Sequence, residues 1–82
     1  MRVEIYSRPG CGHCESAKEV FKQRGVHFVE YSIGSGFSRE AFFEKFPDSK
    51  TVPQIVIDGI HIGGYAQLTE WMKENDSGNL LS

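Results

Sequence analysis

The chain has 82 residues, enough for one domain and not two. A formal charge of −2 and a pI near 5.9 leave no basic footprint for nucleic acid or an anionic membrane. At 39% apolar, with six Phe, three Tyr and one Trp, it holds enough for a modest packed core, and no apolar run approaches the ~20 residues of a membrane span.

Met1 to Tyr6 enters a strand pattern directly, with no apolar leader, so a cytosolic chain forming a single domain over 1–82 is expected. Val3, Ile5 and Ser7 alternate with Arg2, Glu4 and Tyr6, a strand broken by Arg8-Pro9-Gly10. From Gly12 to Arg24 the period becomes helical: Cys14, Ala17, Val20 and Phe21 share one face, while Glu15, Lys18, Glu19 and Lys22 read as solvated charges. Gly25 stands where a helix ends in the left-handed conformation. His27 to Ile33, rich in aromatic and β-branched residues, reads as a second strand, completing a βαβ unit.

Gly34-Ser35-Gly36 reads as a loop. Ser38 then N-caps a short helix with Phe42, Phe43 and Phe46 as its apolar face, closed by Pro47-Asp48-Ser49. Gln54 to Ile57 and Ile60 to Ile62 are short strands joined by Asp58-Gly59, a type I′ hairpin turn. Gly63-Gly64 leads into a last helix that buries Leu68, Trp71 and Met72 and stops at Asn75-Asp76-Ser77-Gly78, with the final residues frayed. The order β-α-β-α-β-β-α predicts an α/β fold with a four-stranded mixed sheet flanked by helices.

The only cysteines are Cys11 and Cys14, in Cys11-Gly12-His13-Cys14 at a strand-to-helix junction. Structural zinc wants four protein ligands, and His13, His27 and His61 show no matching spacing, so a redox pair is expected and no metal. Free backbone N–H groups at a helix N-terminus stabilise a thiolate. Cys11, ahead of the helix and expected to be exposed, is therefore the nucleophile. Cys14, on the apolar face, is the resolving thiol.

Three blocks carry a resemblance: Tyr6-Ser7-Arg8-Pro9-Gly10-Cys11-Gly12-His13-Cys14, Thr51-Val52-Pro53-Gln54-Ile55 and Ile62-Gly63-Gly64. In order and separation they closely resemble the glutaredoxins, over residues 3 to about 74. The resemblance implies a thioredoxin-like fold, no permanently bound cofactor, glutathione as reductant and cosubstrate, and a cis bond before Pro53. It also implies a monomer that acts on disulfide-bearing proteins, ribonucleotide reductase being one candidate.

By the same resemblance, Arg8 stands where the family usually has Lys, a cation for the Cys11 thiolate or a glutathione carboxylate. Lys50 matches a basic position suited to the glycyl carboxylate, and Thr51 helps shape the groove. The Val52 backbone pairs with the extended backbone of a substrate. Gly63 and Gly64 admit the γ-glutamyl end, and backbone groups of Tyr65 and Ala66 remain to bind it.

Two departures stand out. The usual Pro-Tyr between the cysteines is Gly12-His13, and an imidazolium at His13 would favour the reduced form. The acid pair that commonly follows the diglycine is absent, since Tyr65-Ala66-Gln67-Leu68 offers no carboxylate. That leaves two other readings open: a redoxin reduced by thioredoxin reductase, and a glutathione-ligated [2Fe–2S] carrier, for which Gly12 removes the obstructing proline.

Overall fold

The computed structural model describes residues 1–80, with side chains through residue 75. Its elements are β1 (Val3–Ser7), α1 (Gly12–Gln23), β2 (Val29–Ile33), β3 (Gly36–Phe37), α2 (Arg39–Lys45), β4 (Gln54–Ile57), β5 (Ile60–Gly63) and α3 (Tyr65–Leu80). The strands form one mixed sheet in the order β3-β2-β1-β4-β5. β1 runs parallel to β2 and antiparallel to β4, and β4 pairs antiparallel with β5. This is the thioredoxin-like arrangement that the resemblance implied, with one strand more.

The extra strand is β3, which pairs parallel with β2 where the glycines predicted a loop. The turn closes through Gly34 N–H to the Phe37 carbonyl at 2.8 Å and Ser35 N–H to the Ser32 carbonyl at 3.0 Å. The Phe37 ring then packs on Tyr6 and Tyr31, at 5.4 and 5.6 Å between centroids. One aromatic anchor thus fixes a pairing too short for periodicity to reveal.

Successive side chains of a strand point to opposite faces, and both faces of the central strands are covered. Val3 and Ile5 of β1 join Ile55 and Ile57 of β4 under Ala17 and Phe21 of α1 and Leu68 and Met72 of α3. On the other face Tyr6 and Val56 pack against Phe42 of α2 and Phe46 at its C-cap. The sheet therefore lies between an α1/α3 layer and α2. Fully burying a Phe, Leu or Ile side chain is worth about 1.5–3 kcal/mol, so the larger first cluster holds α1, and with it the cysteine pair, on the sheet.

Most of the expected punctuation holds. Ser38 caps α2 by accepting from Ala41 N–H at 3.0 Å. Asp58 and Gly59 both have positive φ, 50° and 81°, as a type I′ turn requires.

Other details differ. β2 begins at Val29 rather than His27. Phe43 is 43% exposed, because at 3.6 residues per turn Phe42 and Phe46 share the core-facing line and Phe43 is turned off it. Helix α3 continues through Asn75-Asp76-Ser77-Gly78. The Asn75 amide donates to the Trp71 carbonyl at 2.8 Å, a bond made within the helix rather than at its end. The expected fraying of the last residues lies outside the described part. Among the described residues no helix is long and apolar enough to cross a membrane.

Candidate active site

Cys11 stands at the N-cap of α1, with φ −96° and ψ 113°. Its Sγ accepts from Cys14 N–H at 3.3 Å, and its carbonyl accepts from Glu15 N–H at 3.2 Å. A sulfur thus does the work usually done by a Ser, Thr or Asp oxygen, and it faces the positive end of the helix. The Cys11 thiol donates to the Val52 carbonyl at 3.8 Å.

Both cysteines are free thiols. Cys11 is 9% exposed and Cys14 0%, so Cys11 is the more open of the two but far less open than its place ahead of the helix suggested. The cap position turns its sulfur inward, toward the Cys14 amide and Val52. Burial, reinforced by the hydrogen bond with Cys11, pushes the Cys14 thiol up to about 12. A main-chain hydrogen bond from Arg8 and the charge of Lys18 act the other way.

The Val52–Pro53 bond is cis. The segment before it is fixed by Gln54, to which the sequence reading gave no role of its own. Gln54, 5% exposed, donates its amide N–H to the Thr51 carbonyl at 2.9 Å. Its Oε1 pairs with His61 Nε2 at 2.7 Å. The amide thereby pins the Thr51-Val52-Pro53 segment to β5.

Arg8, Lys50, Thr51 and Val52 do come together. With Ile33, Arg39, Phe42 and Phe43 they line a cleft of about 260 Å³ beside the Cys11–Val52 contact. Ile33, Arg39, Phe42 and Phe43 are the members that sequence reasoning did not assign to a site, and Arg39 left a signal. A cation in the first turn of a helix opposes the dipole, so Arg39 had no structural reason to stand there.

The other side of the pair is built differently. Gly64 N–H donates to Gln67 Oε1 at 2.9 Å. A Cβ on Gly63, whose φ is +125°, would meet Gln67 Cγ at 2.8 Å; one on Gly64 would lie 3.4 Å from the Pro53 carbonyl. Glycine is needed at Gly63, where φ is positive and the Gln67 side chain closes over it, while Gly64 lets the cis-proline segment approach closely. The His13 ring stacks on Tyr65 with 5.6 Å between centroids and 8° between planes. Ala66 faces a separate groove, with His61, Ile62, Gln67, Glu70, Trp71 and Glu74. The ten candidate binding residues therefore divide between two flanks of Cys11 rather than lining one cavity. Among the described residues no group of three or more His, Cys, Asp or Glu is placed to hold a metal ion.

A thiol at a helix cap, a buried second thiol one turn on, and a cationic cleft alongside are the parts of a thiol–disulfide exchange site. Comparison with known proteins agrees. A glutaredoxin family model matches residues 3–62. Glutaredoxin 1 of Rickettsia felis is 38% identical over an 82-residue alignment covering 96% of this chain and 79% of that protein. Glutaredoxin 3 of Escherichia coli K12 is 40% identical over 62 residues, 76% of this chain and 75% of that one. Among solved structures, glutaredoxin 1 from Francisella tularensis matches with a TM-score of 0.76 at 32% identity, covering 98% of this chain and 95% of that one. Reduced Escherichia coli glutaredoxin matches with a TM-score of 0.76 at 33% identity, covering 92% and 96%.

Proposed function

The chain belongs to the glutaredoxin family and is a thiol–disulfide oxidoreductase, and from that footing we propose that glutathione is its reductant and that Cys11 and Cys14 divide the reaction between them. The observation that carries this reading is the Cys11 sulfur, capping α1 at 3.3 Å from the Cys14 amide beside a cleft that presents Arg8, Arg39 and Lys50.

Cys11 thiolate attacks a disulfide sulfur, one substrate thiolate leaves, and a mixed disulfide remains on Cys11. Ionisation of Cys11 also ends its bond to the Val52 carbonyl. That carbonyl then becomes an acceptor for a backbone N–H of an extended substrate. With a glutathione mixed disulfide, a second glutathione thiolate releases Cys11. With a protein disulfide, Cys14 attacks Cys11, the reduced protein leaves, and glutathione later reduces the Cys11–Cys14 bond. In this reading the glycyl carboxylate of glutathione meets Arg8, Arg39 and Lys50, Thr51 shapes the groove, and the γ-glutamyl end runs toward Gly63, Gly64, Tyr65 and Ala66. The cytosolic thiol pool, where both cysteines stay reduced between turnovers, is the matching setting.

The test is a pair of coupled assays on one disulfide substrate, with glutathione and glutathione reductase or with thioredoxin reductase alone. Turnover in the first and not the second is expected. The reverse would make the chain a thioredoxin-reductase-dependent redoxin.

A further inference from the structure

Lys18 is the residue that the exchange chemistry above leaves unused and the sequence misplaces. Its side chain is only 14% exposed, although its position reads as a solvated face. It bonds Glu15 at 2.7 Å and Glu30 of β2 at 3.0 Å. The Glu30 carboxylate also accepts from the Ser7 hydroxyl at 2.5 Å, at the end of β1. The ammonium is thus fixed between helix and sheet. Those bonds raise the Lys18 ammonium above the usual lysine range, the Glu15 bond most strongly, so the charge is permanent over working pH.

Lys18 follows Cys14 by four residues on α1, which puts the two side chains on adjacent turns of one face. The charged or titratable groups around them are Cys11, Glu15 and Lys22 of α1, Arg8 from the preceding loop and Glu30. Helix α3 presents Leu68 and Met72 to this core, with Tyr65 and Trp71 packed against it, so Tyr65 is the titratable side chain that this helix brings to the core. Cys14 is fully buried and must become a thiolate to resolve a mixed disulfide.

We propose that Lys18 is the positioning residue of the resolving step: its fixed positive charge lets the buried Cys14 ionise, and so governs the dithiol branch and not the first attack by Cys11. The inference rests on the two-cysteine reading above. In the step, Cys14 loses its proton to solvent and its sulfur bonds Cys11 Sγ. The Cys11–substrate S–S bond breaks, and the electron pair leaves with the substrate sulfur, which takes up a proton. Two electrons pass from the dithiol to the substrate, and no other oxidant is involved.

The experiment mixes the reduced protein with neutral 4,4′-dithiodipyridine and follows thiopyridone release. A first phase that scales with reagent reports Cys11. A second, concentration-independent phase reports Cys14. In Lys18→Met the second phase should slow about three- to tenfold at neutral pH, with its pH profile moved up by about half to one unit. Lys18→Arg should restore it.

Glu30→Gln breaks the same ion pair but keeps the positive charge, still held by Glu15, and should not slow the second phase. An unchanged second phase in Lys18→Met overturns the proposal. So does equal slowing in Lys18→Met and Glu30→Gln, which would make the pair a structural clamp. Should Lys18→Met not fold, slowing in Glu30→Gln decides against the proposal and its absence, with Lys18→Arg intact, decides for it. A wild-type protein with no second phase overturns the two-cysteine reading itself.

Discussion

The two flanks of Cys11 are built on opposite plans. On one, Arg8, Arg39 and Lys50 surround an open cleft floored by Phe42 and Ile33, and the salt bridges of the described residues involve none of these cations. On the other, the polar groups are occupied within the chain: Gly64 N–H is bonded to Gln67, and the His13 ring lies on Tyr65. Under the proposed function, the contrast assigns the anionic end of the ligand chiefly to the cleft side. The diglycine side contributes shape, and its backbone donor opens only when Gln67 moves.

Three substitutions test that contrast, in falling order of effect. Arg39→Glu replaces a cation of the cleft by a repelling carboxylate. Each exposed contact is worth up to about 1 kcal/mol, and reversal changes attraction into repulsion, so the glutathione KM should rise about tenfold with kcat little altered. Steady-state kinetics with a glutathione mixed disulfide would check this, and an unchanged KM would mean that the carboxylate end lies elsewhere.

Ala66→Asp works from the other flank. It adds a carboxylate in the first turn of α3, where the helix dipole favours an acid and the γ-glutamyl ammonium would meet it. The KM should fall several-fold, by the roughly 1 kcal/mol of one half-exposed contact. A more stable fold with unchanged glutathione kinetics would remove the γ-glutamyl end from this flank.

His13→Tyr should do least. The sequence suggested an imidazolium that favours the reduced form, but the ring is exposed and stacked on Tyr65. An exposed charge contributes about 1 kcal/mol at most, equivalent to roughly 20 mV for a two-electron couple. Titration against glutathione buffers should find the potential lowered by no more than that. A drop of about 50 mV would restore His13 as a direct partner of the thiolate.

A fourth expectation concerns acid stability. The Ser7 hydroxyl bond, together with Lys18, holds the Glu30 carboxyl below the usual glutamate range. A group lowered in the folded state adds stability above its unfolded value of about 4.3, lost as pH falls through the folded value. Melting temperature should therefore fall on acidification below about pH 4.5, and less steeply in Glu30→Gln.

Much of this was legible because local chemistry and tertiary need coincide. Cys11 before an amphipathic run, Ser38 before another, and Asp58-Gly59 between apolar pairs each state their own structure. What stayed hidden depends on contacts that only the folded chain makes. β3 exists because Phe37 reaches Tyr6 and Tyr31. Lys18 is enclosed because Glu30, twelve residues on and across to β2, meets it. Gln54 matters because His61 and Thr51 lie on either side of its amide. No period or propensity encodes such meetings.

The proposed chemistry stands on Cys11 being the thiol that attacks. Turnover of a glutathione mixed disulfide, coupled to glutathione reductase, should be measured for Cys11→Ser and Cys14→Ser side by side. Cys14→Ser should keep most of the wild-type rate, since this route needs one thiol, while Cys11→Ser should show none above background. Retained turnover in Cys11→Ser with loss in Cys14→Ser would contradict the assignment.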